Sequence, residues 1–133
     1  MRFIRNAILG SIMLMAPAAA PAQALEAGDF PVSGYHVMAT PHGFGALVKR
    51  LNAAIKSNGM FAVSRASASA GASSRGITIP GNMIIGVYRN DFAVRMLEAS
   101  IPAGIEAPLI FYVTENADGT AVLSYREIGR AHV

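Results

Sequence analysis

The sequence predicts an α+β domain, a two-layer sandwich in which two helices cover a mostly antiparallel sheet. Three observations lead there. The 133 residues are 53% hydrophobic and 14% charged, which suits one packed domain. Two segments carry helical periodicity, and five shorter ones read as strands. No cysteine is present, so disulfides, thiolate nucleophiles and Cys-ligated zinc or iron–sulfur clusters are excluded, and stability has to come from packing and hydrogen bonds.

The chain opens on a different pattern. Arg2 and Arg5 precede an apolar run over residues 7–15, and Ala22-Gln23-Ala24 places small residues where a signal peptidase reads them. A spanning helix needs about 20 apolar residues, so the run is too short to anchor. Residues 1–24 are therefore expected to be a cleaved export signal, cut before Leu25. An earlier cut would leave Pro21 directly after the scissile bond. The expected destination is the periplasm, with full secretion as the alternative, and no membrane association after cleavage. Removing Arg2 and Arg5 lowers the net charge from +3 to +1, so the basic balance says little about partners.

Residues 32–40 read as the first strand, ending at Pro41. Phe44, Leu47, Val48, Leu51 and Ile55 then form the apolar stripe of a half-buried helix, which Ser57-Asn58-Gly59 closes with Gly59 in a left-handed cap. Lys49, Arg50 and Lys56 lie on its outer face without interleaved aromatics, the pattern of a solvated surface, and no nucleic-acid partner is expected. Residues 60–66 alternate as a second strand. The Ser/Ala/Gly-rich stretch 67–76 lacks the Gly-Lys-Ser/Thr ending of a phosphate loop and reads as a connector or short Ala-rich helical turn.

Residues 82–88 are a buried strand. Arg89-Asn90-Asp91 turns the chain into a second helix over 92–100, with Asn90 or Asp91 as its cap, Phe92, Met96 and Ala99 facing inward, and Asp91, Arg95 and Glu98 spaced to pair. A Pro/Gly connector over 101–107 leads to strands at 108–114 and 121–125, joined by a hairpin at Asp118-Gly119. The order is β-α-β-β-α-β-β. The closing residues 127–133 are expected to be a non-native tail, because Ile128-Gly129-Arg130-Ala131-His132-Val133 is what one frame of a common sequencing adapter encodes.

The main polar concentration is Asn82, Arg89, Asn90, Asp91, Arg95, Glu98 and Glu106, around strand ends and a helix start where free amides favour ligands. A second set, His36, Met38 and His42, has the imidazole and thioether groups that suit copper(I). It lacks a recognised spacing, Met38 more simply fills the core, and neither metal nor cofactor is expected. No Gly-x-Ser-x-Gly elbow is present. Tyr88, Tyr112 and Tyr125 suit half-buried strand positions.

Five motifs carry a family resemblance. They are Lys56-Ser57-Asn58-Gly59, Ile79-Pro80-Gly81-Asn82, the run from Arg89-Asn90-Asp91-Phe92 to Glu98, the run Ala103-Gly104-Ile105-Glu106-Ala107-Pro108, and Asp118-Gly119 before Leu123-Ser124-Tyr125. Over residues 44–125 the chain resembles the domain of unknown function 302 family, with Gly81-Asn82-Met83 and Ala107-Pro108 in the manner of an exported proteobacterial subgroup. The resemblance implies a compact α/β fold, often dimeric, with no established activity. The reading that follows is an exported, non-enzymatic domain that binds a small ligand or protein partner as a homodimer, with residues 89–106 as the recognition surface. The alternatives are an enzyme using Asp91, Glu98 or Glu106 as acid and base, and a purely structural or stress-related interaction module.

Overall fold

The computed structural model describes residues 25–127, so the expected export segment and all of the expected tail but Glu127 lie outside the described residues. The elements are β1 (Tyr35–Gly43), α1 (Phe44–Ser57), β2 (Phe61–Ala66), the short α2 (Ala68–Ser73), β3 (Asn82–Tyr88), α3 (Asn90–Ala99), β4 (Leu109–Glu115) and β5 (Thr120–Arg126). Two 3-10 segments, Ala27–Asp29 and Ile101–Glu106, complete the elements of the described residues. The five strands form one sheet in the order β1-β5-β4-β3-β2. Every neighbouring pair is antiparallel, so the expected α+β class holds and its mostly antiparallel sheet is wholly so.

The helical stripe of α1 does what its spacing predicts. Leu47, Leu51 and Ile55 are buried against Ile85 and Val87 of β3, Val113 of β4 and Ala121 of β5. Ile85 and Val113 are fully enclosed, and burying each such aliphatic side chain stabilises the fold by roughly 1.5–3 kcal/mol. At the helix end the Met60 amide donates to the Ile55 carbonyl at 3.0 Å and the Gly59 amide to the Lys56 carbonyl at 3.0 Å. Gly59 has φ +67°, the left-handed residue that this double closure requires and that glycine adopts without a Cβ penalty.

Two boundaries differ from the sequence reading, and a third segment agrees with it. The first strand starts later and runs through Pro41 to Gly43. It lies at the sheet edge beside β5 alone, with a register shift between Ala39 and Gly43, and such a position tolerates a residue without an N–H. The 67–76 stretch contains the short helix α2, in agreement with the Ala-rich helical turn read there, capped by the Ser67 hydroxyl, which accepts from the Ala70 amide at 3.1 Å. Finally, α3 begins at Asn90, with Arg89 in the cap position and no side-chain capping bond. Asn90 and Asp91 therefore occupy the first turn and do not cap it.

The packing of α3 also departs from expectation. Ala93 is its buried residue and Met96 is half-buried, whereas Phe92 and Ala99 are exposed. Ala93 and Met96 of the helix share the lining of a cleft with Val87 and Leu109 of the sheet. Leu97 packs on Gly104 of the following 3-10 segment, where an added Cβ would lie 2.8 Å from Leu97 Cδ2. The Ala107–Pro108 peptide bond, which leads into β4, is cis.

Candidate functional site

The polar groups singled out in the sequence divide between two ends of the sheet. Asn82 opens β3 and Arg89 follows its last residue. Seven residues of strand separate the two by about 20 Å. Asn82 Oδ1 accepts from the Ala68 amide at 2.9 Å and the Ser69 amide at 3.4 Å, while its carbonyl accepts from the Ser67 hydroxyl at 2.7 Å. Its side chain ties α2 to the sheet and takes no part in a site with Arg89.

At the other end, the extended backbone of Arg89 (φ −143°) lets its side chain reach forward over the first helical turn. Nε donates to Asp91 Oδ1 and Nη2 to Oδ2, each at 2.7 Å. The guanidinium carbon lies 4.1 Å from the Phe92 ring centroid, a cation–π contact that holds the fork in place. The hydrogen bond from Arg89 lowers the Asp91 pKa and the same bond raises that of Arg89. Asp91 is thus committed two residues back along the chain. Among the described residues it forms no ion pair with Arg95, because both of its oxygens are already engaged by a rigid bidentate partner.

Glu106 stands apart from this pair. Its carboxylate accepts from Arg126 at the end of β5, and both line a cleft of about 290 Å³ with Tyr35, Pro108 and Ile110. Arg89 instead lines an apolar cleft of about 120 Å³ with Met60, Phe92, Met96, Ala107 and Leu109. The Glu106 carboxylate is engaged by Arg126 and that of Asp91 by Arg89, so the two carboxylates have different partners. Of the seven predicted residues, Arg89 and Asp91 meet in direct contact; Asn90, Arg95 and Glu98 share their helix, while Glu106 and Asn82 are engaged elsewhere.

The second candidate set does not converge. His36 and His42 are six residues apart along an extended strand, about 20 Å, and among the described residues no group of three or more His, Cys, Asp or Glu is placed to hold a metal. His36 stacks on Tyr125 at 5.3 Å between centroids and its Nε2 lies 3.2 Å from Glu127 Oε2. Met38 is 51% exposed and does not fill the core. The feature that sequence reading missed is apolar. Phe92, Val94, Leu97, Ile101 and Ile105 are all exposed, Ile101 at 79% and Ile105 at 88%. Their spacing contained the signal, since α3 has apolar residues on more than the one face that the sheet can cover.

A family model described as "Domain of unknown function DUF302" matches residues 36–131. No curated protein matches the chain. Among solved structures, the crystal structure of an uncharacterised conserved DUF302 protein from Bacillus stearothermophilus superposes with a TM-score of 0.62 at 18% identity, covering 71% of this chain and 74% of that one. At that identity the likeness concerns the fold.

Proposed function

The chain belongs to the DUF302 family, and we propose that it is an exported, non-enzymatic binding domain that works as a homodimer through the surface of residues 89–106. The observation that carries this reading is the exposed apolar run from Phe92 to Ile105. Apolar surface in contact with water is unfavourable by roughly 25 cal/mol per Å² relative to burial, and several exposed apolar side chains on one short segment are a candidate interaction surface. The cleft beside Arg89, about 120 Å³, is well below the roughly 300–1,000 Å³ of small-molecule sites, and that beside Glu106, about 290 Å³, is at their lower limit. A protein surface therefore suits this region better than a small ligand, and an isologous contact between two copies buries the same patch twice. The Arg89–Asp91 pair lies at the rim, where a fixed, neutral hydrogen-bonding group sets orientation.

Export rests on the pattern of residues 1–24, with the periplasm as the compartment. Among the described residues no helix is long and apolar enough to cross a membrane. The assembly test is sedimentation velocity on protein beginning at Leu25, beside the double variant Ile101→Asp/Ile105→Asp. We expect a dimer at micromolar concentration for the parent and a monomer with unchanged circular dichroism for the variant. A monomeric parent would sink the dimer, and a dimer untouched by both aspartates would move the interface elsewhere. N-terminal sequencing of the periplasmic fraction tests export, with Leu25 as the expected first residue.

A further inference from the structure

The charges of this chain are segregated. Between Asp29 and Asp91 there is no carboxylate at all, while Lys49, Arg50, Lys56, Arg65, Arg75 and Arg89 fall in the same stretch. Arg89 is neutralised by Asp91. The other five form no salt bridge among the described residues. Two of them, Lys56 and Arg65, meet at an open cleft of about 460 Å³ between the end of α1 and β2. No carboxylate lines it. Arg65 Nη2 donates to Asn52 Oδ1, a neutral acceptor that orients the guanidinium and leaves its charge uncompensated. The floor is apolar, made by Ile55, Met60 and Ala62, with Phe61 standing 66% exposed at the rim.

Among the described residues β2 is also the last strand of the sheet, and the backbone groups on its outer side have no strand partner there. The opposite edge, β1, is blunted by Pro41. On β2 the register shift between Ala62 and Ser64 keeps the regular free edge short, which suits a short segment and opposes pairing with a long strand. We propose that this edge cleft is a docking site for a short, extended acidic peptide with interspersed apolar residues. Its carboxylates lie over Lys56 and Arg65, its apolar side chains pack on Phe61 and Ala62, and its backbone bonds to the free side of β2, the strand-addition mode of peptide recognition. The occupant is set by charge complementarity, since the domain supplies no acid of its own here. The cleft adjoins the dimer contact proposed above, sharing Met60 with the cleft beside Arg89, but its own cations are Lys56 and Arg65 and the proposal stands without the dimer.

The probe is a short fluorescent peptide of alternating glutamate and valine, followed by anisotropy at two salt concentrations, with the glutamine–valine peptide and a single-stranded oligothymidine of similar length as comparators. The parent protein is expected to bind the glutamate peptide saturably and more weakly at high salt. Lys56→Gln/Arg65→Gln is expected to weaken binding about tenfold, in line with the loss of two partly solvated ion contacts. Both side chains are exposed, so folding should survive. Charge reversal, Lys56→Glu/Arg65→Glu, is expected to transfer binding to the lysine–valine peptide. Equal affinity for the glutamine peptide, no effect of the double variant, or equally tight oligothymidine binding through the same residues would each overturn the proposal.

Discussion

Gly86 shows how little space separates the strands in the middle of the sheet. It pairs with Ser64 of β2 on one side and Ile110 of β4 on the other. An added Cβ would run into Ser64 Oγ and come within 3.1 Å of Pro108 Cγ. Gly86 is buried with Pro108 close by, so room for a methyl has to come from Ser64 of the edge strand β2, and overpacking of this kind costs about 1–3 kcal/mol. Gly86→Ala is therefore expected to lower the unfolding free energy by that amount, read as a lower urea midpoint at unchanged m-value. Ser64→Ala in the same chain is expected to recover part of it, since Ser64 supplies the nearest atom and neighbouring substitutions couple. An unchanged midpoint would mean that β2 can shift away. The sequence reading placed Gly86 in a buried strand but had no access to this crowding, because periodicity reports which face a side chain takes and says nothing about what lies across it.

At the level of elements, local chemistry was legible where one short segment decided the geometry. The hairpin between β4 and β5 is such a case. Gly119 has φ +84°, and Asp118 Oδ1 accepts from the Thr120 hydroxyl at 2.6 Å and the Thr120 amide at 2.9 Å. Those bonds, that from the hydroxyl first, lower the Asp118 pKa. A carboxylate held below its ordinary value adds stability above that value, about 4, and the contribution is lost as pH falls through the folded-state value. Asp118→Asn should therefore narrow the stability gap between neutral pH and acid, read as thermal midpoints; an identical slope for both proteins would remove Asp118 from the account. The start of α3 was less legible. Helical spacing suggested Asp91 with Arg95, but Arg89 precedes the helix in extended conformation, and that backbone gives it a two-residue reach that no helical rule anticipates. Asn82 and Arg89 share the expectation of a strand-end site, yet they flank opposite ends of β3 and so belong to different surroundings.

Across the whole molecule, burial is unevenly shared. The strands β3, β4 and β5 each have neighbours on both sides, and α1 drives Leu47, Leu51 and Ile55 into their common face. By contrast α3 buries Ala93 alone, a side chain too small to hold a helix through apolar contact, and its next support is the 3-10 segment against which Leu97 rests. Local opening follows the amount of apolar surface that an element must expose to leave the body. The α3 and 3-10 lobe is accordingly expected to exchange its amide hydrogens faster than α1 and the three central strands, measured by hydrogen–deuterium exchange on peptides spanning residues 90–106 and 109–126. The dimer proposal makes this test more discriminating, because covering the lobe with a second copy should slow its exchange as protein concentration rises while the central strands stay unchanged. The Ile101→Asp/Ile105→Asp variant should exchange rapidly in the lobe at every concentration. Uniform protection of lobe and sheet in that variant would mean that α3 is held by the body alone, leaving its exposed apolar residues without the role assigned to them.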